Sequence, residues 1–357
     1  MTKRLLEARK VTAAYHTPDG REVKAVDNVS LFVNEGEIVG CAGESGCGKS
    51  TLGNVLALTA RPPLYPISGT IEIDGQTLEL GLDNKVPRTW RGEVVSMLPQ
   101  GALNSLSPTA RIRGLVVDVL RSHGTKLSKD ECLDLARDRM KNLGLPPRAL
   151  DSYPHQLSGG MKQRVITVIS TLLNPKLLIA DEPTSALDVS SQRALVEMLR
   201  EMLNQDIMKG VIFVTHDLPL LKTISDRIAV MYAGQIVEVA TADDIAERPR
   251  HPYSKALLNA VLAPEHDTLE KRVEGIKGSP PSLAKPPSGC RFHPRCGLAM
   301  DICSQTTPRA QGNELQFAKC HWSQQHPSEL IRIEDVLRRN DLVDEDAALK
   351  ATSVKEA

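Results

Sequence analysis

The sequence predicts an α/β fold built on a mainly parallel sheet, with a smaller extension at the C-terminus. Patterns of buried strands alternate with patterns of helices along the first 250 residues. That alternation is typical of parallel strands joined by helices. A chain of 357 residues also exceeds what one hydrophobic core usually fills, so an appendage is expected beside the main domain.

The individual elements follow from local patterns, in chain order. Residues 1–40 alternate apolar and polar positions, which predicts short strands separated by turns at HTPDGRE and VNEGE. Apolar runs predict buried strands at EIVGCA, PKLLIADEP and GVIFVTHD, a helix from about Ser50, and a hairpin at RIAVMYAGQIVEVA. Helical periodicity marks GLVVDVLRSH, KDECLDLARDRMKNLGL and VSSQRALVEMLREMLNQ. In the last of these, one face carries Leu195, Met198, Leu199, Met202 and Leu203.

These patterns divide the chain into four parts. Residues 1–250 form the α/β domain, with a helical subdomain at about 101–165. Residues 251–288 contain a helix near YSKALLNAVL and a proline-rich linker. A cysteine-rich extension follows at 289–325, and a tail of mixed charge occupies 326–357.

Composition excludes some classes of function. The chain has 44 basic and 44 acidic residues, so its balanced charge gives no reason to expect a nucleic-acid partner. No apolar run approaches the ~18–20 residues of a membrane-spanning helix. Glu7, Arg9 and Lys10 interrupt what would have to be the apolar core of a signal peptide. We therefore expect a cytosolic protein with reduced thiols.

A phosphate-binding loop is the strongest local motif. GESGCGKS fits G-x-x-x-x-G-K-[ST] between a strand and a helix. Its glycines let backbone N–H groups surround phosphate oxygens, the lysine supplies a positive charge, and the serine offers a hydroxyl to Mg²⁺. Cys47 occupies one of the positions at which the motif accepts any residue, so it is expected to be a bystander and not a redox switch. The predicted nucleotide-binding residues here are Gly43, Glu44, Ser45, Gly46, Cys47, Gly48, Lys49, Ser50 and Thr51.

Further polar residues at predicted strand ends complete a nucleotide-hydrolysing set. Asp181 ends an apolar strand and is placed to hold Mg²⁺, and Glu182 is placed to activate the attacking water. Gln100 is a candidate for binding Mg²⁺ or positioning that water. His216 is a candidate for contacting the γ-phosphate, with a structural role as the alternative. Tyr15 is a candidate for stacking on adenine, with core packing as the alternative.

A second anion-binding motif, LSGGMKQR, narrows the class. Ser158, Gly159 and Gly160 open a predicted helix whose N-terminal N–H groups can meet phosphate. Since the chain already has one phosphate loop, this motif is expected to serve the nucleotide of another subunit.

With these motifs the sequence resembles the ATP-binding subunits of ABC transporters over about residues 5–260. The resemblance implies a P-loop ATPase with a RecA-like core, an antiparallel β-subdomain and a helical subdomain, acting as a head-to-tail dimer. It implies catalytic roles for Glu182, His216 and Gln100, and Mg²⁺ binding by Ser50, Gln100 and Asp181. The implied signature against the partner's ATP is Leu157, Ser158, Gly159, Gly160 and Met161, with Met161 standing where many relatives have glutamine. The implied dimer-communicating loop is Ser185, Ala186, Leu187 and Asp188.

Two segments resemble one branch of that family. HPYSKALLNAV and CRFHPRC are similar to segments of importers of peptides and related solutes. The resemblance implies an ATPase at the cytoplasmic face of the plasma membrane, working with a second, related ATPase, two permeases and a solute-binding protein. A soluble ABC ATPase of iron–sulfur assembly, translation or DNA repair is the main alternative, and an exporter ATPase is a third. The transported solute is not predicted, because an ATPase subunit does not touch it.

Four of the seven cysteines, Cys290, Cys296, Cys303 and Cys320, lie in the extension. Their spacings lack the close pairs of structural zinc sites, although His293 and His321 keep Zn²⁺ open as an alternative. Four thiolates are the complement of a 4Fe–4S cluster. Some dipeptide-importer ATPases with a similar extension carry such a cluster, and the resemblance favours it here. Unliganded or partly oxidised thiols are the remaining alternative.

Overall fold

The computed structural model describes residues 3–82, 86–260, 275–276 and 278–337. The strands are β1 Arg4–His16, β2 Glu22–Asn34, β3 Ile38–Ala42, β4 Leu64–Ile73, β5 Gln76–Glu79, β6 Val95–Leu98, β7 Leu177–Asp181, β8 Gly210–Val214, β9 Arg227–Tyr232, β10 Gln235–Thr241, β11 Gln311–Gly312 and β12 Phe317–Ala318. The helices are α1 Lys49–Leu56, α2 Ile112–Ser122, α3 Lys129–Asn142, α4 Gly159–Ser170, α5 Val189–Asn204, α6 Leu218–Ile224, α7 Ala242–Glu247, α8 Pro252–Asn259, α9 Asp301–Gln305, α10 His321–Gln325 and α11 Ile333–Leu337.

The chain divides into two compact units, and each crosses the sequence more than once. The first unit is drawn from Met1–His16, Asn28–Val39 and Ser50–Thr215. The second is drawn from Thr17–Asp27, Gly40–Lys49 and His216–Ala357. Neither unit coincides with a predicted domain, so the predicted boundaries at residues 250, 288 and 325 stay predictions.

An antiparallel sheet of order β2-β1-β4-β5 belongs mainly to the first unit. The prediction of short strands was wrong here, because β1 and β2 each have 13 residues. The pairing of β1 with β4 runs from Leu6 opposite Ile73 to Tyr15 opposite Leu64, and it shifts register between Arg9 and Thr12. This irregularity lets the alternation of buried and exposed residues resume on the same strand instead of ending it.

The first unit also contains three parallel strands in the order β6-β7-β8, as the apolar runs predicted. Every residue of β7 and β8 is buried, which matches strands covered on both faces. The predicted helix at 189–204 is confirmed, with Leu195, Met198, Leu199 and Met202 buried on one side. The fifth predicted member of that face, Leu203, is only half-buried.

The helical segment of the first unit contains α2 and α3, which pack against each other. Helix α3 begins at a capping box in which Ser128 accepts from the Glu131 N–H and Glu131 accepts from the Ser128 N–H. Its buried residues are Cys132, Leu133, Ala136 and Met140, at the spacing of one helix face. The two helices predicted from periodicity are thus confirmed.

The second unit is built on the predicted hairpin of β9 and β10. The short strand β12 pairs with β10, with Ala318 opposite Glu238 and Phe317 opposite Val239, and β11 pairs with β12. The cysteine-rich extension therefore adds strands to the edge of this hairpin. Part of the linker (261–274 and 277) and most of the tail (338–357) lie outside the described residues.

None of the helices in the described ranges is both long and apolar enough to cross a membrane.

Candidate functional site

The glycine-rich loop of the second unit needs glycine at two of its positions. Gly43 has φ +154°, and a Cβ there would lie 2.2 Å from the Met231 carbonyl oxygen. Gly48 has φ +107°, and its Cβ would lie 2.1 Å from the Ala25 carbonyl oxygen. Backbone packs so closely around this loop that a side chain at either position would displace it. The motif therefore has a structural basis in this chain.

Lys49 is the positively charged residue of the loop, and only 5% of it is exposed. Its Nζ donates to the carbonyl oxygens of Gly43, at 2.7 Å, and Glu44, at 2.9 Å. The Cys47 side chain is buried beside it, and burial raises the pKa of the Cys47 thiol. The remaining loop residues, Ser45 and Gly46, form the turn between Glu44 and Cys47. Lys49 is thus held at the loop by its own backbone.

In the first unit, two pairs of predicted site residues meet near the carboxyl ends of parallel strands. The Ser50 hydroxyl donates to the Asp181 carboxylate at 3.1 Å, and Asp181 is 2% exposed. The Gln100 amide donates to the Glu182 carboxylate at 3.0 Å. Gln100 follows β6 and Asp181 ends β7, so parallel pairing brings their side chains to one edge of the sheet. Ser50 and Asp181 offer the oxygen donors that Mg²⁺ prefers.

Glu182 sits on strained backbone. Its φ is +45°, a left-handed value that is uncommon for a residue with a side chain. The Glu182 N–H donates to the Val214 carbonyl oxygen at 2.8 Å, which holds the residue against the end of β8. Strained residues that the surrounding structure fixes are frequent at functional sites. The sequence motif alone did not reveal this conformation.

Tyr15, the candidate for adenine stacking, is half-buried at the end of β1. Its hydroxyl lies 3.1 Å from the Thr51 hydroxyl, so it is joined to the start of α1. His216 follows β8, belongs to the second unit and is exposed.

The LSGGM motif and the SALD loop are brought together within the first unit. Ser158 caps α4, and its hydroxyl accepts from the Met161 N–H at 3.2 Å. A Cβ on Gly160 would lie 2.4 Å from the Ser191 hydroxyl, so glycine allows α4 to approach α5. Asp188 caps α5 by accepting from the Ser191 N–H at 2.9 Å. Ser191 was not predicted, because a serine one turn beyond SALD carries no signal of its own.

Hydrogen bonds from Ser190 and Ser191 lower the pKa of Asp188 to about 2. The motif residues lie at or just before the starts of α4 and α5, and they differ in exposure. Ser158, Gly159, Ser185, Ala186 and Asp188 are exposed, Met161 and Leu187 are half-buried, and Leu157 is buried.

The four cysteines of the extension are all free thiols, and Cys290, Cys303 and Cys320 lie near enough to Cys296 to interact with it electrostatically. The Cys290 N–H donates to the Cys303 carbonyl oxygen at 2.8 Å. Burial, with a smaller contribution from the charges of Cys320 and Cys303, raises the pKa of Cys290 to about 12. Burial and the same neighbouring thiols also raise the pKa of Cys296.

Among the residues that the structure describes, no three His, Cys, Asp or Glu side chains are placed to hold a metal ion. The two histidines considered as zinc ligands make other contacts. His321 Nε2 lies 2.8 Å from the Thr306 carbonyl oxygen, and His293 Nδ1 lies 2.9 Å from that of Cys290. The predicted metal or cluster is therefore not established by this geometry.

Comparison with known protein families decides the identity of the fold. Residues 26–185 match the family model described as "ABC transporter", and residues 237–303 match "Oligopeptide/dipeptide transporter, C-terminal region". The dipeptide transport ATP-binding protein DppD of Caldanaerobacter subterraneus subsp. tengcongensis is 39% identical over 306 residues, which cover 85% of this chain and 92% of that protein. The chain belongs to the ABC transporter family. It is an ATP-binding subunit of that family and an ATPase, as the motifs predicted.

Further relatives agree with this assignment. The ABC subunit is 38% identical to the oligopeptide transport ATP-binding protein OppF of Salmonella typhimurium over 332 residues, or 89% of this chain and 96% of OppF. Among solved structures, the dimeric ABC transporter cassette MJ0796 covers 67% of this chain and 99% of its own, with a TM-score of 0.56 and 27% identity. The same cassette has been solved in a post-hydrolysis state with ADP and Pi. The predicted cassette fold is confirmed, and the soluble, transporter-free alternative is not favoured.

Proposed function

We propose that this ABC subunit hydrolyses ATP to energise the uptake of peptides or related small solutes through partner permeases. The match of residues 237–303 to the C-terminal region of oligopeptide and dipeptide transporters carries this proposal. It is supported by relatives named for dipeptide and oligopeptide transport that cover 85% and 89% of the chain.

Each residue of the predicted site is proposed to have one role in binding or hydrolysing ATP. Lys49 neutralises phosphate charge, and loop N–H groups bind phosphate oxygens. Ser50 and Asp181, whose side-chain oxygens lie 3.1 Å apart, would hold Mg²⁺, with Gln100 as a further candidate ligand. Glu182 takes the proton of the attacking water, and its hydrogen bond from Gln100 orients the carboxylate. Tyr15 stacks on adenine, and His216 contacts the γ-phosphate.

The exposed start of α4 is proposed to serve a second subunit. Ser158 and Gly159 present helix N–H groups to solvent, where the ATP of a partner ATPase would be met. Ser185–Asp188 would report that contact, because Asp188 caps the helix that Gly160 packs against. The partner is proposed to be a paralogue, giving a heterodimer at the cytoplasmic face of the membrane with two permeases and an associated solute-binding protein.

Co-purification tests the transporter assignment. Tagged protein from native membranes should bring down two permeases and a second ATPase. A tagged protein that recovers neither would contradict the importer proposal, and recovery of one band of ATPase only would replace the heterodimer with a homodimer. Peptide binding by the associated solute-binding protein then identifies the solute.

We also propose that the extension holds a 4Fe–4S cluster. The extension has four free thiols that interact electrostatically, which fits the donor type and number of such a cluster. When bound, it would cross-link a short extension that has few apolar residues of its own.

Metal analysis tests the cluster. Anaerobically purified protein should be brown and contain iron and acid-labile sulfide in equal amounts. Colourless protein that contains zinc, or no metal, would contradict it. The variant Cys132→Ser, outside the extension, is the matched control and should leave the iron content unchanged.

A further inference from the structure

Arg295 connects the cysteine-rich extension to the phosphate loop. It lies in CRFHPRC, and only 7% of it is exposed. Its Nη1 donates to Glu44 Oε2 at 2.7 Å, and its Nη2 donates to Glu44 Oε1 at 3.0 Å. A guanidinium bound at two points fixes both the position and the orientation of a carboxylate. The second residue of the loop is thus held by a side chain 251 positions away.

The other hydrogen bonds of this guanidinium fix Arg295 itself. It donates to the Tyr232 hydroxyl at 3.3 Å and to the carbonyl oxygens of Ile276, at 3.3 Å, and Gly278, at 3.2 Å. Burial acts to lower the pKa of Arg295, but the hydrogen bonds to Glu44 and Tyr232 outweigh it and raise that pKa. The arginine therefore remains charged, and its contact with Glu44 is a buried ion pair.

Glu44 is held on its backbone as well. Its N–H donates to the hydroxyl of Tyr253 at 2.7 Å. Tyr253 is fully buried and belongs to HPYSKALLNAV, the segment that starts at His251 and is called the HPY segment below. The Glu44 carbonyl oxygen accepts from Lys49 Nζ at 2.9 Å. A movement of Glu44 therefore moves a group that positions Lys49. Because Lys49 is the loop's charge for phosphate, the Glu44 contacts bear on nucleotide binding.

Aromatic packing joins the same segments. Phe292, also in CRFHPRC, lies 5.2 Å from Tyr232 and 5.3 Å from Tyr253 between ring centroids. The two tyrosine rings are 4.5 Å apart. The chain has only four phenylalanines and five tyrosines, and three of these nine residues, Phe292, Tyr232 and Tyr253, contact one another here. CRFHPRC is thus packed into the core beside the loop.

Arg295 lies in a backbone turn between the two flanking cysteines, Cys290 and Cys296. The turn from Cys290 to Cys296 is closed by backbone hydrogen bonds from His293 to Cys290, at 2.9 Å, and from Cys296 to His293, at 3.3 Å. The Arg295 N–H donates within the same turn to the Phe292 carbonyl oxygen at 3.0 Å. A displacement of the backbone at Cys290 or Cys296 is therefore passed to Arg295 through this turn.

We propose that Arg295 is a positioning residue for the phosphate loop, and that the extension sets the ATP affinity of the subunit through it. The inference rests on the proposed assignment of residues 43–51 to ATP. Arg295 holds Glu44, Glu44 helps to hold Lys49, and the Cys290–Cys296 turn holds Arg295. Disturbing the extension then weakens ATP binding and leaves the hydrolytic step unchanged.

The test is the dissociation constant for ATP, measured by calorimetry on full-length protein, together with steady-state ATPase kinetics. Arg295→Gln should raise Kd and KM about 10- to 100-fold, a typical coupling between sites, and leave kcat within about twofold. Arg295→Lys should fall between, because it keeps the charge and loses the two-point contact. Adding Arg295→Gln to Glu44→Gln should change Kd little further, since both remove the same pair.

Arg291→Gln is the matched control. Arg291 lies in the same segment and donates to Asp27 and to the Ala233 carbonyl oxygen. Neither hydrogen bond reaches residues 43–49. The control variant should change Kd by less than about twofold. Equal weakening by Arg291→Gln would mean that docking of the whole extension, and not Arg295, controls affinity, which overturns the proposal.

A cysteine variant tests the connection to the extension. Cys296→Ser should raise the Kd for ATP in wild-type protein and add little in the Arg295→Gln background. Additive effects would contradict transmission through Arg295. Lys49→Ala separates the two proposals. If it loses ATP binding while Arg295→Gln binds normally, only the inference fails, and if it binds ATP normally, the assigned ATP site fails.

Discussion

His251, the first residue of the HPY segment, makes stability depend on pH in a way that the structure allows us to calculate. Its Nδ1 accepts from the Tyr253 N–H at 3.0 Å and caps α8. The ring is 1% exposed, and in the described structure its Nε2 has no hydrogen-bond partner. Burial lowers the pKa of His251 from 6.5 to about 3. Protonation would place a charge in the core and remove the acceptor of the cap.

The sign and size follow from linkage. Because the pKa in the folded state lies below that in the unfolded state, the unfolded chain takes up a proton as pH falls through 6.5 and the folded protein does not. Stability contributed by neutral His251 is therefore lost as pH falls. Between pH 7.5 and pH 5 the loss is about 2 kcal/mol, from the ordinary histidine pKa and the linkage relation. Asparagine in place of His251 keeps a capping acceptor and does not titrate.

The assay is urea unfolding of wild type and His251→Asn at pH 7.5, 6.5 and 5. The free energy of unfolding of wild type should fall relative to the variant by about 2 kcal/mol across this range. Buried Glu238, whose pKa burial raises to about 7, accepts from the His251 backbone N–H at 3.0 Å, a contact that His251→Asn keeps, so both proteins carry the titration of Glu238. A wild-type minus His251→Asn difference that stays constant with pH would refute the reasoning.

Three further predictions concern the motifs. Glu182→Gln should lower kcat for ATP by about 10²- to 10⁴-fold and leave the ATP Kd within about twofold, because it removes a general base and keeps the shape; near-normal turnover would remove Glu182 from that role. Ser158→Ala should lower the free energy of unfolding by about 1 kcal/mol, because it removes the cap of α4, and Ser158→Thr should restore most of it; equal stability in urea would contradict the cap. Buried Cys47 should react with N-ethylmaleimide at least about tenfold more slowly in folded protein than in urea at pH 7.5. The rate is measured by mass spectrometry of the labelled peptide, and equal rates would mean that the Cys47 thiolate is accessible in the folded protein.

The sequence was sufficient for elements whose pattern is local. Strands β3, β7 and β8 are short apolar runs that end in polar motifs, and each is fully buried. Helix α5 was placed by the spacing of its apolar residues. Such elements are predictable because burial on both faces, or on one helix face, selects residue type directly. Strands β1 and β2 were predicted between the right turns but too short, since each has 13 residues, and in β1 the register of pairing with β4 shifts within the strand.

Contacts between segments that are distant in the chain could not be predicted from the sequence. The Glu44–Arg295 pair joins residues 251 positions apart, and neither residue has a pattern that names the other. The packing of Gly160 against Ser191 depends on the approach of two helices, which glycine permits but does not specify. Glu182 combines a positive φ with an N–H that donates to the carbonyl oxygen of Val214, a residue 32 positions away. These features depend on tertiary structure, which periodicity does not encode.

ATP hydrolysis by this subunit is proposed to drive solute uptake. The most direct test of this proposal is uptake of a labelled dipeptide or oligopeptide by proteoliposomes that contain the permeases, the second ATPase and this chain, with the solute-binding protein and ATP supplied. Wild type and Glu201→Gln, which alters an exposed glutamate on α5, should both support uptake. Glu182→Gln should reduce uptake in proportion to its loss of ATP turnover. Uptake by Glu182→Gln at the wild-type rate, or equal uptake without this chain, would contradict the account.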